Sequence, residues 1–117
     1  MYLDAEGIDY NVKSRLTSST VYQLGQSCLT FWYHMYGYDM GKLTIYVTVN
    51  DKEKMLLNIS GNKGNWWLQA FVDISESTPY TIIFEGTRGQ DYRSDIAIDD
   101  IYFTPGLCTG MYRRMSA

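Results

Sequence analysis

Histidine is almost missing from this 117-residue chain, which has only His34. A lone imidazole, with no second His and no Cys cluster beside it, cannot build a zinc site. Nor does it stand in any arrangement of nucleophile and base that a sequence reveals. Proline is scarce, at two residues. No run approaches the roughly 18 apolar residues of a membrane-spanning helix. Basic residues are outnumbered, 10 Lys plus Arg against 13 Asp plus Glu, for a net charge of −3. That balance leaves no electrostatic footprint for nucleic acid. Charged residues make up only 20% against 45% apolar, which excludes a disordered chain. Met1 to Gly7 has neither a basic start nor an apolar stretch, so it does not read as a secretory leader. Cysteine is limited to Cys28 and Cys108. They are unpaired thiols in a reducing compartment. In an oxidising one they close a loop of about 80 residues, worth roughly 4 kcal/mol in chain entropy.

What is present is aromatic and punctuated. Eleven Tyr bring the aromatic share to 15%, a composition that favours strands. The length suits one domain, long enough to bury about two-thirds of its unfolded surface. Turn signals recur at Gly37–Gly41, Asn50-Asp51-Lys52, Gly61-Asn62-Lys63-Gly64, Ser75–Pro79 and Gly86–Asp91. Short β-rich runs between them predict a sandwich or barrel. Leu43, Ile45, Val47 and Val49 alternate with polar or aromatic residues, the clearest period of two in the chain. Trp66, Leu68, Ala70, Val72 and Ile74 form a second such set, and Tyr80, Ile82 and Phe84 a third. Alternation places one of Trp66 and Trp67 inward and the other outward. Ile96, Ile98, Asp100 and Tyr102 are expected on one face of the last strand. Cys28–Tyr36 is apolar on both sides and reads as a central strand covered on both faces. Weaker strands are expected near 12–16 and 21–24. No window holds a period near 3.6, so no helix is expected.

Three segments carry a resemblance. They are Cys28-Leu29-Thr30-Phe31-Trp32-Tyr33-His34-Met35-Tyr36-Gly37; then Gly61-Asn62-Lys63-Gly64-Asn65-Trp66-Trp67; and then Phe84-Glu85-Gly86-Thr87-Arg88-Gly89 with Asp95-Ile96-Ala97-Ile98-Asp99-Asp100-Ile101 and Cys108. In this order and spacing the chain resembles a MAM domain, the extracellular module of meprin-type proteases, neuropilins and mu-type receptor phosphatases. The motif residues include Trp32, His34, Gly86, Gly89 and Asp95. Ser94 stands where the family pattern has Gly. The resemblance runs over residues 1–110, leaving 111–117 as an expected disordered tail. It implies an all-β, antiparallel, jelly-roll-like sandwich. The opening segment of the family, with its own cysteine pair, has no counterpart here, so the chain is expected to be a MAM domain without its first strand or strands.

The resemblance further implies a non-catalytic adhesion module, outside the cell, on a larger surface or secreted protein, binding the same or another surface protein. It implies that Cys28 and Cys108 form a disulfide. Two alternatives stand beside adhesion: a carbohydrate-binding sandwich, and an accessory domain of a secreted metalloprotease. No zinc-binding His-Glu motif occurs in the chain, so protease chemistry would lie elsewhere in such a host. Asn58-Ile59-Ser60 fits an N-glycosylation acceptor. Asp100, expected beside Ile96 and Ile98, needs a partner on an apolar face. Hard cations take several oxygens, and the family resemblance implies Ca²⁺ or Na⁺ near this strand. Asp99, Asp100 and Glu6 are the candidate ligands, with Asp4 weaker; hydrogen bonds to loops, or pairing with Arg88 or Arg93, are the structural alternative. Glu85 and Asp99 are the one carboxylate pair a glycosidase reading could use. Gly86-Thr87-Arg88-Gly89 lacks the Lys-Ser/Thr end of a phosphate loop, and its glycines are expected in a turn.

Overall fold

The computed structural model describes residues 2–4, 13–22, 24–36, 41–61, 63–87 and 95–108. Glu6, Gly89, Arg88, Arg93 and the tail at 111–117 lie outside the described residues. Among the described residues are eight strands and no helix: β1 (Tyr2–Asp4), β2 (Lys13–Thr17), β3 (Gly25–Tyr36), β4 (Lys42–Val49), β5 (Lys52–Ser60), β6 (Leu68–Glu76), β7 (Thr81–Thr87) and β8 (Asp95–Pro105). They form two antiparallel sheets, ordered β1-β8-β3-β6 and β2-β7-β4-β5. This is the expected all-β sandwich.

The core follows from alternation. Leu29, Phe31 and Met35 from β3 face Leu43, Ile45 and Val47 from β4, with Ile82 and Phe84 from β7 and Ile96 and Ile98 from β8. Phe31 and Phe84 join the sheets edge to face, with ring centroids 5.2 Å apart. Burying each such side chain contributes roughly 1.5–3 kcal/mol. β3 is central, hydrogen-bonded to β6 on one side and β8 on the other. It is covered on both faces only near Cys28–Thr30; further along, Trp32 and His34 are half-buried and Tyr36 is exposed.

Five local departures from the expected pattern have physical reasons. β5 shows no clear period of two because it is an edge strand with a Lys-Glu-Lys start and a bulge opposite Ile45/Tyr46. It pairs with β4 through a two-residue turn in which Asn50 and Asp51 have φ of 52° and 61°, the geometry that matches strand twist in tight hairpins. The second weak strand, near 21–24, shrinks to a single bridge between Val21 and Tyr80. β6 begins at Leu68, so Trp66 and Trp67 belong to the preceding loop, and both are exposed. Gly86 is buried inside β7, between Ser14 and Leu43, rather than in a turn.

The fifth departure lies in β8. Thr30 pairs with Tyr102 and Trp32 with Asp99, so Phe31 faces two residues, Asp100 and Ile101. Asp100 takes a φ of 51°, and its N–H donates to Asp99 Oδ1 at 2.8 Å. Short polar side chains tolerate this conformation because they bond locally. The bulge shifts the parity of the strand. Ile96 and Ile98 stay inward, but Asp100 and Tyr102, expected on the same face, are exposed.

Candidate interaction face

The outer face of the first sheet is built from β3. Trp32, His34 and Tyr36 project from it at two-residue intervals. Ala97 of β8 pairs with His34. The loop from Gly61 to Trp67 then folds back onto this face. Gly61 and Gly64 have φ of 85° and 88°, values that favour glycine. Lys63 N–H donates to the Met35 carbonyl at 2.8 Å and Gly61 N–H to Gly41 at 3.3 Å. A Cβ on Gly64 would come within 2.6 Å of the Trp66 ring, so Trp66 is seated directly over the glycine.

This docking brings Asn65 Oδ1 to 3.0 Å from His34 Nε2. It also sets the Trp67 ring 5.4 Å from the imidazole, whose centre lies 6.1 Å from that of Tyr36. The result is a row of Tyr36, His34 and Trp67, flanked by Trp66. The bulge in β8 supplies Tyr102 to the outer surface, 61% exposed. Trp66 is equally open, at 61%, and Trp67 and Tyr36 are nearly half exposed. Aromatic rings of this kind, with an apolar body and a polar edge, are the residues enriched at protein interfaces.

The same sheet carries the disulfide. Cys28 and Cys108 are bonded, their Cα atoms 4.9 Å apart, and both are buried. The bond ties the start of β3 to the segment after β8. Cys108 N–H donates to Asp73 Oδ1 at 2.7 Å, which fixes that segment against β6. The two sulfurs and the Asp73 carboxylate lie close together, but sulfurs joined to each other offer no thiolate to a metal.

The opposite outer face, on β2, β7, β4 and β5, is organised by charge. Glu85 is a carboxylate only 1% exposed. Arg15 Nε donates to its Oε2 at 2.6 Å, while Arg15 Nη2 reaches Glu53 Oε1 at 3.0 Å. The Arg15 guanidinium also lies 5.5 Å from the centre of the Tyr46 ring. The hydrogen bonds that Arg15 donates to Glu53 and Glu85 raise its pKa. Beside this network Lys42, Thr44, Tyr46, Met55, Asn58, Glu85 and Thr87 line a groove of about 380 Å³. Neither Arg15 nor Glu53 stood out in the sequence, because they lie 38 residues apart and 70 separate Arg15 from Glu85.

The expected sites fall on separate parts of this frame. Trp32 and His34 share the aromatic face; Asp95 pairs through its backbone with Asp4 and Tyr36. Asp99 and Asp100 are exposed at the bulge. Asn58 is exposed on the groove side, where Thr44 Oγ1 donates to its Oδ1 at 3.3 Å. Glu85 and Asp99 sit on opposite outer faces, so they do not form a carboxylate pair.

Comparison with known proteins adds a relationship to this geometry. The profile described as MAM domain, meprin/A5/mu matches residues 1–109. The chain is 41% identical over 114 residues to mouse MAM domain-containing protein 2, covering 95% of the chain and 17% of that protein. It is 49% identical over 84 residues to human MAM domain-containing glycosylphosphatidylinositol anchor protein 1, covering 69% of the chain and 9% of that protein. Thyroid hormone-induced protein B of Xenopus laevis is 38% identical over 112 residues, with 92% and 16% covered. The chain therefore spans less than a fifth of the length of these relatives.

Proposed function

The chain belongs to the MAM domain family, and from that membership we propose that it is a non-catalytic interaction module of a larger extracellular protein, held at the cell surface or secreted. Its task is to bind another surface protein through the outer face of the β1-β8-β3-β6 sheet. The observation that carries this reading is the aromatic row of Tyr36, His34 and Trp67, with Trp66 exposed and Tyr102 exposed further along the same sheet, opposite Thr30. Rings held by a sheet and by a loop docked on it lose little side-chain entropy on binding, so their burial converts efficiently into affinity. The names of relatives that carry a glycosylphosphatidylinositol anchor fit a position outside the cell.

Alanine at Trp67 and Tyr102 tests the assignment in the full-length host. Surface plasmon resonance against cells or ectodomains that bind the parent protein should show at least a tenfold loss, about 1.4 kcal/mol or more. The unfolding midpoint should move little, because both side chains are exposed. Unchanged binding in the double variant would remove this face as the interface. Binding that survives there but is lost on glycan removal from the partner would favour carbohydrate recognition instead.

A further inference from the structure

We propose that Asn58 carries an N-linked glycan whose first sugar, an N-acetylhexosamine, seats in the groove beside Glu85 and covers the outer face of the β2-β7-β4-β5 sheet. The proposal rests on the extracellular placement above, since only the secretory route supplies the modification. Asn58-Ile59-Ser60 is the acceptor triplet, and the fold puts Asn58 on an exposed surface of the edge strand β5. Transfer forms a bond between Asn58 Nδ2 and the anomeric carbon of a lipid-pyrophosphate-linked oligosaccharide. The anomeric carbon–oxygen bond breaks, the lipid pyrophosphate leaves, and Nδ2 loses one proton. The Thr44 hydroxyl bonds to Oδ1, not to the nitrogen that takes the sugar.

The groove has the chemistry that a first sugar needs, and Asn58 is one of its own lining residues. Its volume, about 380 Å³, lies in the range of small-molecule pockets, roughly 300–1,000 Å³. The hydroxyls of Thr44 and Thr87, which also line the groove, offer partners to sugar hydroxyls and to an acetamide N–H. Tyr46 and Met55 offer apolar surface to the C–H face of the ring and to the acetyl methyl group. Met55 is 58% exposed, a thioether left in water unless something covers it. A tethered sugar needs no high intrinsic affinity, because the covalent link holds it at an effective concentration of about millimolar or above. A glycan here also shields the free edge of β5 from pairing with another chain.

The test uses the full chain with its native flanks, secreted from a eukaryotic cell and trimmed by an endoglycosidase to a single sugar. Mass spectrometry of the Asn58 peptide should show that sugar. The trimmed protein should unfold about 4 °C above the Ser60→Ala variant, which keeps Asn58 but leaves it unmodified. Tyr46→Ala and the milder Met55→Ser should each abolish that difference. An unmodified Asn58, coincident melting of the trimmed and Ser60→Ala proteins, or a difference that persists in both groove variants would overturn the proposal. Partner binding is read separately on the aromatic face, so its failure leaves the glycan result intact.

Discussion

The two outer faces of the sandwich solve the same problem in opposite ways. On the β2-β7-β4-β5 side, Arg15 spends its guanidinium on Glu85, Glu53 and the Tyr46 ring. The side chains there satisfy one another. On the β1-β8-β3-β6 side, His34 packs beside Tyr36 and Trp67 and bonds Asn65, and Trp66 and Tyr102 stand mostly in water. The contrast separates stability from recognition. A buried carboxylate needs its cation for the fold to hold, whereas exposed rings contribute little to folding and leave their area for a partner.

The largest effect should come from the bond that anchors the aromatic face. Cys28→Ser or Cys108→Ser opens a loop of 80 residues and should cost about 4 kcal/mol. Chemical denaturation of oxidised and reduced protein measures it. Hydrogen exchange should show β3 and β8 losing protection before β4 and β7, and equal loss on both sheets would contradict the separation of the faces.

The next test breaks the polar face. Arg15→Ala leaves the buried Glu85 carboxylate without its guanidinium partner and should lower the unfolding midpoint in a thermal melt. Glu53→Ala removes only an exposed partner and should cost under about 1 kcal/mol. Neither change should alter partner binding, whereas alanine at Trp67 and Tyr102 should do the reverse. A loss of binding in Arg15→Ala at unchanged stability would erase the distinction.

The smallest effect concerns alkaline pH. Burial raises the phenol pKa of Tyr33 and of Tyr80, with the Ser27 hydroxyl offsetting part of the rise at Tyr80. A phenol whose folded pKa is raised contributes stability below its unfolded value, near 10, and that contribution is lost as pH rises through the folded value. Arg15 stays charged throughout, its pKa raised by its carboxylates. Thermal midpoints should therefore decline gradually from about pH 10 upward, and Tyr80→Phe should flatten the decline. A steeper fall in Glu85→Gln than in the parent would place the alkaline sensitivity on the polar face instead.

Much of this architecture was visible in the residues. The alternation of Leu43, Ile45 and Val47, and of Leu68, Ala70, Val72 and Ile74, matches the inward sides of β4 and β6. These strands are regular and buried on one face, so the period of two survives intact. β5 escaped notice because an edge strand tolerates charge at its start, and its bulge breaks the period. Extending the β6 alternation back to Trp66 and Trp67 fails because they lie in a loop that hydrogen bonds to Met35 and Gly41 hold elsewhere. The positions of Asp100 and Tyr102 turned on one residue. A bulge carries no periodic signature, and it inverts every side chain that follows.

The class of the molecule is legible in the residues alone: an aromatic, strand-rich, MAM-like chain with two cysteines and an acceptor triplet. These are properties of composition, period and local spacing. Only the tertiary structure decided which residues meet. It joined Arg15 to Glu85 across 70 positions, brought Trp67 and Asn65 onto His34, and set Glu85 and Asp99 on opposite outer faces. Antiparallel pairing between distant strands makes such contacts, and their register depends on bulges and loop docking that no local window contains.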